Sequence, residues 1–116
     1  MGPFFPDFSD SKLMKSEIVR KEMGSLERDY AELAKLGTRY ESFDPQGKEL
    51  YIESALDVVD RFAIFLTRLK LSEEFSAQMF IKQYSVRLQE YGLTINSLIE
   101  NTKKSLEMMR EEIPKM

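Results

Sequence analysis

Between Asp44-Pro45 and Leu69 the apolar residues do not keep to one side of a helix. Tyr51, Ile52, Ala55, Leu56, Val58, Val59, Phe62, Ala63, Ile64, Phe65, Leu66 and Leu69 nearly encircle the axis. A helix that is apolar on most sides has to lie at the centre of its domain or against a partner. Its start is marked twice. The Asp44 carboxylate can accept a bond from an orphan backbone N–H, and Pro45 supplies a ready-made first helical φ.

Three further segments read as helices that could surround it. The first runs from about Ser11 to Leu36, where Val19, Met23, Leu26, Tyr30 and Leu33 recur at intervals of three and four, with Tyr40 beyond Gly37. Gly37 is placed to be the left-handed residue that ends it, and Gly24 is an interior weak point costing about 1 kcal/mol against Ala. A third helix is expected to start at Ser72 as N-cap, with Glu73 and Glu74 suiting the positive end of the dipole, and to close at Gly92. Its apolar face shifts around Phe80 to Lys82, so a break there would give a fifth helix. The last starts after Thr94 as N-cap, carries Ile95, Leu98, Ile99, Leu106, Met109 and Ile113, and is stopped by Pro114.

No strand-like alternation or internal repeat interrupts this pattern. The expected fold is all-α: an antiparallel bundle of four or five helices, with the long first and second helices forming a hairpin and the last two packing across it. Residues 1–10 form an aromatic N-terminal arm and residues 11–116 a single helical domain.

Composition removes several chemistries from such a bundle. The chain has no His and no Cys. Ser-His and Cys-His nucleophile systems, thiolate zinc sites and the Glu-x-x-His pairs of di-iron bundles therefore cannot be built. Asp57 with Asp60, Glu73 with Glu74, and Glu107 with Glu111 are better read as solvated or salt-bridged helix positions than as cation sites. No Gly-rich phosphate loop is present. The chain is thus expected to be no enzyme and to carry no catalytic residues, cofactor or metal. No apolar run reaches the roughly 18 residues of a membrane span, and Met1 to Asp7 lacks the basic region of a signal peptide, so a cytoplasmic setting without membrane contact is expected.

Binding surfaces remain. Phe4, Phe5 and Phe8 stand in a stretch that Pro3 and Pro6 keep out of a helix, and they either fold back over the bundle's open end or dock into a partner's groove. Tyr51, Val58 and Phe65 represent the surplus apolar girth of the second helix, where a larger host protein or a second copy of the chain could sit. Lys12, Lys15, Arg20 and Lys21 form the alternative, a nucleic-acid-facing or transcription-linked basic face. They are interleaved with Glu17 and Glu22 in a chain of net charge −3. A mixed-sign solvated face is the better account, and nucleic acid is the less favoured partner.

From Ser16-Glu17-Ile18-Val19 onward the sequence resembles a family of short, uncharacterised helical proteins of cyanobacteria and cyanophages. The matching stretches are Asp29-Tyr30 with Leu36-Gly37 and Tyr40, Phe43-Asp44 with Gly47-Lys48, Asp60-Arg61-Phe62 with Ile64-Phe65 and Arg68, Leu71-Ser72-Glu73 with Phe75 and Ala77-Gln78-Met79, and Gly92-Leu93-Thr94. The family resembled is shorter at its start, with an aromatic pair almost directly before Ser-Glu-Ile-Val, whereas here Pro6 to Lys15 intervene. The resemblance implies the cytoplasm of a photosynthetic bacterium, or a phage acting inside one. It carries no activity with it.

Overall fold

A computed structural model describes residues 17–114 of the chain. Four helices follow one another: α1 (Glu17–Gly37), α2 (Pro45–Leu71), α3 (Phe75–Gln89) and α4 (Ile95–Glu111), with a short 3-10 turn at Tyr40–Ser42. The described residues contain no strand. The expected arm and the start of the first helix, residues 1–16, lie outside this range.

Most of the apolar girth of α2 is used inside the chain, although Ile64 remains 57% exposed. Ile52, Ala55, Val58, Val59, Phe62, Phe65, Leu66 and Leu69 are all buried, and every extensive helix–helix contact is one that α2 makes with α1, α3 or α4. At 27 residues, or about 40 Å, it is the longest element. Met23 of α1 and Leu88 of α3 are as completely enclosed as Ile52.

Ion pairs record the directions of the neighbours. Arg68 pairs with Glu22, and Arg61 Nη1 lies 2.6 Å from Asp29 Oδ2. Rising numbers on one helix meet falling numbers on the other, as in the expected antiparallel hairpin. Lys103 Nζ lies 2.5 Å from Asp60 Oδ1, and Arg110 Nε 2.9 Å from Glu49 Oε1. So α4 also runs antiparallel along the length of α2. The Arg110 contact is one of charge and does not make a directed hydrogen bond.

The helix starts at Asp44 and Thr94 follow from their side chains. Asp44 Oδ1 accepts from the Gly47 N–H at 2.7 Å. Thr94 and Ser97 form a reciprocal capping box, with N···O distances of 3.0 and 2.8 Å. Gly92, at φ +72°, supplies the left-handed turn after α3. The Leu93 N–H reaches the Leu88 carbonyl at 3.0 Å and the Gly92 N–H reaches that of Gln89 at 2.9 Å, the paired bonds of a Schellman motif.

Three expectations are corrected. Ser72 does not begin α3. It ends α2 by donating its N–H to Leu69 at 3.2 Å, while its Oγ accepts from the Glu74 N–H at 3.1 Å, so α3 starts at Phe75. No break occurs between Phe80 and Lys82. The apolar face shifts because α3 is apolar on two sides, burying Ala77, Tyr84 and Leu88 and exposing Phe75, Met79 and Val86. Gly37 is not left-handed, since Gly92 alone among the described residues has that conformation. Gly37 is small because α2 approaches it. A Cβ there would lie 2.7 Å from the Tyr51 hydroxyl, which donates to the Leu33 carbonyl at 3.2 Å.

This contact sets the sign of a mutational effect. Gly→Ala inside a helix ordinarily gains about 0.5–1 kcal/mol. Gly37→Ala should instead lower the denaturant midpoint, because it displaces a hydroxyl whose hydrogen bond contributes about 0.5–1.5 kcal/mol. In a Tyr51→Phe background, where no hydroxyl is in the way, the same change should raise the midpoint. Shifts of equal sign in both backgrounds would contradict the contact. Phe62→Ala, in the buried centre of α2, should cost about 3–5 kcal/mol by the same measurement. A near-neutral result would remove Phe62 from the core.

Burial also raises the Tyr84 phenol to about 12 from an ordinary value of 10, with nearby Arg87 opposing the shift. The folded state therefore holds this proton more tightly than the unfolded one, so its contribution to stability is whole below pH 10 and is lost as pH rises from there towards 12. Equilibrium unfolding followed across that window should show a decline that Tyr84→Phe reduces. An identical alkaline profile for the variant would show that Tyr84 does not drive the decline.

Candidate interaction surface

The residues singled out from the sequence fall into three groups. Phe4, Phe5, Phe8, Lys12 and Lys15 lie outside the described residues. Val58 and Phe65 are core residues, 3% and 2% exposed, and so present no face to a partner. Tyr51 is half-buried and packs beside Tyr40 and Phe43, with ring centroids 5.3 and 6.3 Å away. This cluster closes the end of the hairpin where α1 turns towards α2. The Tyr51 hydroxyl is raised above its ordinary range by burial, in keeping with its use as an internal tie.

Arg20 and Lys21 are exposed on α1 and line a shallow surface depression with Gly24, Glu27 and Arg28. The acidic residue remains among the cations, so the two faces of the charge pattern are as interleaved in space as in sequence. The carboxylate pairs read from the sequence are met by cations in part. Asp57 faces Arg61 at 3.5 Å and Asp60 faces Lys103, while Glu107 approaches Arg110 at 3.4 Å. Arg61 is held firmly cationic, first by its hydrogen bond to Asp29 and then by the charges of Asp29 and Asp57, against the opposing effect of burial. Among the described residues no cluster of acidic residues suited to a metal ion occurs, and no helix among them is long and apolar enough to cross a membrane.

The surface that sequence reading missed is the outer side of α3. Phe75, Met79 and Val86 are spaced by four and seven residues, which puts them on one line along the helix. Phe75 is 76% exposed and Val86 50%, and Leu71, at the end of α2 just before the turn, is 77% exposed. Glu73 and Glu74 stand at one end of this line, Lys82 within it and Arg87 beside its other end. The signal was present in the sequence. Two interleaved apolar stripes, one at Ala77, Tyr84 and Leu88 and one at Phe75, Met79 and Val86, resemble a single wandering face until one is known to be buried.

Between α2, α3 and α4 lies an open groove of about 670 Å³, with Leu66, Ile81, Leu93, Ile95 and Ile99 in its walls and Lys70, Glu100 and Lys103 among its polar lining. Ser85, Thr67 and Thr94 bring hydroxyls to it, but in a chain without His no imidazole stands beside them. Its chemistry is that of a receptive apolar surface.

Comparison with known proteins adds a family. Nothing among curated proteins matches the chain, nor does any solved structure. A family model described as a domain of unknown function, DUF1825, matches residues 11–113. That span takes in all four helices and leaves out the aromatic segment at residues 1–10. The chain belongs to the DUF1825 family.

Proposed function

We propose that this chain is a non-enzymatic interaction module, a small adaptor or regulator that holds a larger protein against the outer face of α3. The observation that carries the reading is the two-sided apolar character of α3. One side is committed to the core through Ala77, Tyr84 and Leu88, while Phe75, Met79 and Val86 form a second line for which the described residues provide no cover. Single exposed apolar residues are ordinary on a protein surface, whereas several aligned along one side of a helix provide the anchors of helix-mediated recognition. The acidic residues at its start and the cations further along would set the orientation of the bound element.

The setting proposed is the cytoplasm of a cyanobacterium or of one infected by a phage, following the resemblance of residues 16–94 to proteins of that origin. A second copy of the chain is the competing occupant. The basic residues Arg20 and Lys21 offer a weaker case for nucleic acid, because acidic side chains share their face.

Phe75→Glu combined with Val86→Glu tests the reading directly. Both positions are at least half exposed, so the change in folding stability should stay within about 0.5 kcal/mol. Affinity purification from a cyanobacterial lysate should recover a protein with the unaltered chain and lose it with the double variant. Recovery of the same protein by both would place the binding surface elsewhere. Recovery of none by either, with a concentration-dependent mass in sedimentation equilibrium that the double variant abolishes, would make the face a homodimer interface and overturn the adaptor reading.

A further inference from the structure

The open groove between α2, α3 and α4 exists because the two outer helices diverge. Both pack extensively on α2, but neither does so on the other. The wedge left between them is lined on its α2 side by Ala63, Leu66, Thr67 and Lys70. Its volume of about 670 Å³ falls within the range of roughly 300–1,000 Å³ that small-molecule sites occupy. Register along α2 assigns the polar lining to the two ends. Lys103 faces Asp60 and Arg110 faces Glu49, so counting back along α4 brings Glu100 level with Ala63 and Asn96 level with Thr67. Lys70 lies about 10 Å beyond Ala63, at 1.5 Å per residue. One end of the groove therefore holds Lys70 and Asn96, and the other holds Glu100 beside the Lys103 and Asp60 pair.

We infer that the groove binds a single alkyl chain with an anionic head, a medium-chain carboxylate, laid along α2 with its head at Lys70 and Asn96. Charge favours this occupant and this direction. Among the described residues Lys70 has no carboxylate partner, Glu73 and Glu74 in the following turn included, and the Asn96 amide makes no hydrogen bond. The backbone at this end also leaves donors over. The last carbonyls of α2 are occupied, Leu69 by the Ser72 N–H and Ser72 by the Gln78 amide, both at 3.2 Å, whereas the first N–H groups of α4 have no acceptor within their helix. At the far end Glu100 and Asp60 outnumber Lys103, so a carboxylate placed there would be repelled.

Between the two ends the walls are apolar, with Leu66, Ile81 and Ile99 from three different helices. An alkyl chain on this surface gains by leaving water, and the length between Lys70 and Ala63 suits a short chain. The groove is open along one side, which fits a single chain laid lengthwise and gives a bulky ligand little enclosure. This inference does not rest on the partner face of α3. On that helix the groove takes Ile81, Ser85 and Gln89, which lie about 100° around the axis from the line of Phe75, Met79 and Val86.

The test is titration of the full-length chain with decanoate below its micellar range, followed by backbone amide chemical shifts. Saturable changes should appear at Leu66, Ile81 and Ile99. Decanol should bind about tenfold more weakly, because it lacks the charge-assisted contact of the head, and decylamine more weakly still. Lys70→Gln, at an exposed position, should bring decanoate to the level of decanol with the helical circular dichroism retained, and Lys70→Arg should keep the wild-type preference. Met79→Gln combined with Val86→Gln on the outer face of α3 should leave decanoate binding as it was. The inference is overturned by an absence of saturable change, or by changes centred on Phe75, Met79 and Val86. Equal or tighter binding of decanol or decylamine would overturn it too, as would decanoate binding indifferent to Lys70→Gln.

Discussion

The need to enclose α2 governs the rest of this molecule. Eight of its side chains are buried, and at about 25 cal/mol for each Å² of apolar surface removed from water a helix of this kind contributes strongly to folding only when it is surrounded. A single hairpin partner covers one stripe. Covering the remainder requires α3 and α4, and their placement follows from that demand: α4 runs along α2 from Asp60 to Glu49, while the shorter α3 takes the side marked by Phe62. The bundle is accordingly organised around an axis, with each outer helix tied to α2 more firmly than to the others.

The polar contacts between helices act within this arrangement as register marks. Arg61 with Asp29, Lys103 with Asp60 and Arg110 with Glu49 are at least partly open to water, and ion pairs of that kind contribute about 0–1 kcal/mol each. They do not hold the bundle together. What they add is discrimination, since sliding α1 or α4 by a turn would part these charges while leaving much of the apolar burial intact. Gly37 gives a similar constraint by shape. It allows the Tyr51 hydroxyl to reach the Leu33 carbonyl, and so fixes the height at which α1 leaves α2.

Much of this was legible in the sequence because the physics involved is local. The Asp44 carboxylate and the Thr94 hydroxyl cap helices by reaching three residues along the chain, and Gly92 turns left-handed where its own backbone requires it. The misreadings occurred where a distant residue decides the role. Gly37 looks like a helix terminator until Tyr51 is seen above it. Ser72 looks like an N-cap, but the requirement to finish α2 claims its backbone N–H first. Val58 and Phe65 looked like surplus apolar surface on a helix whose neighbours were underestimated, while the line actually exposed, Phe75, Met79 and Val86, was hidden within the apolar run of α3. No pattern confined to one helix could reveal which of its two faces the other helices would take.

The central claim is that α2 is an axis on which three helices pack separately, and native-state hydrogen exchange tests it most directly. Amides of α2 between Ile52 and Leu69 should exchange only through global unfolding, whereas those of α1, α3 and α4 should show lower opening free energies that differ from helix to helix. Exchange from α2 that is as easy as, or easier than, exchange from the helices around it would contradict an axial arrangement.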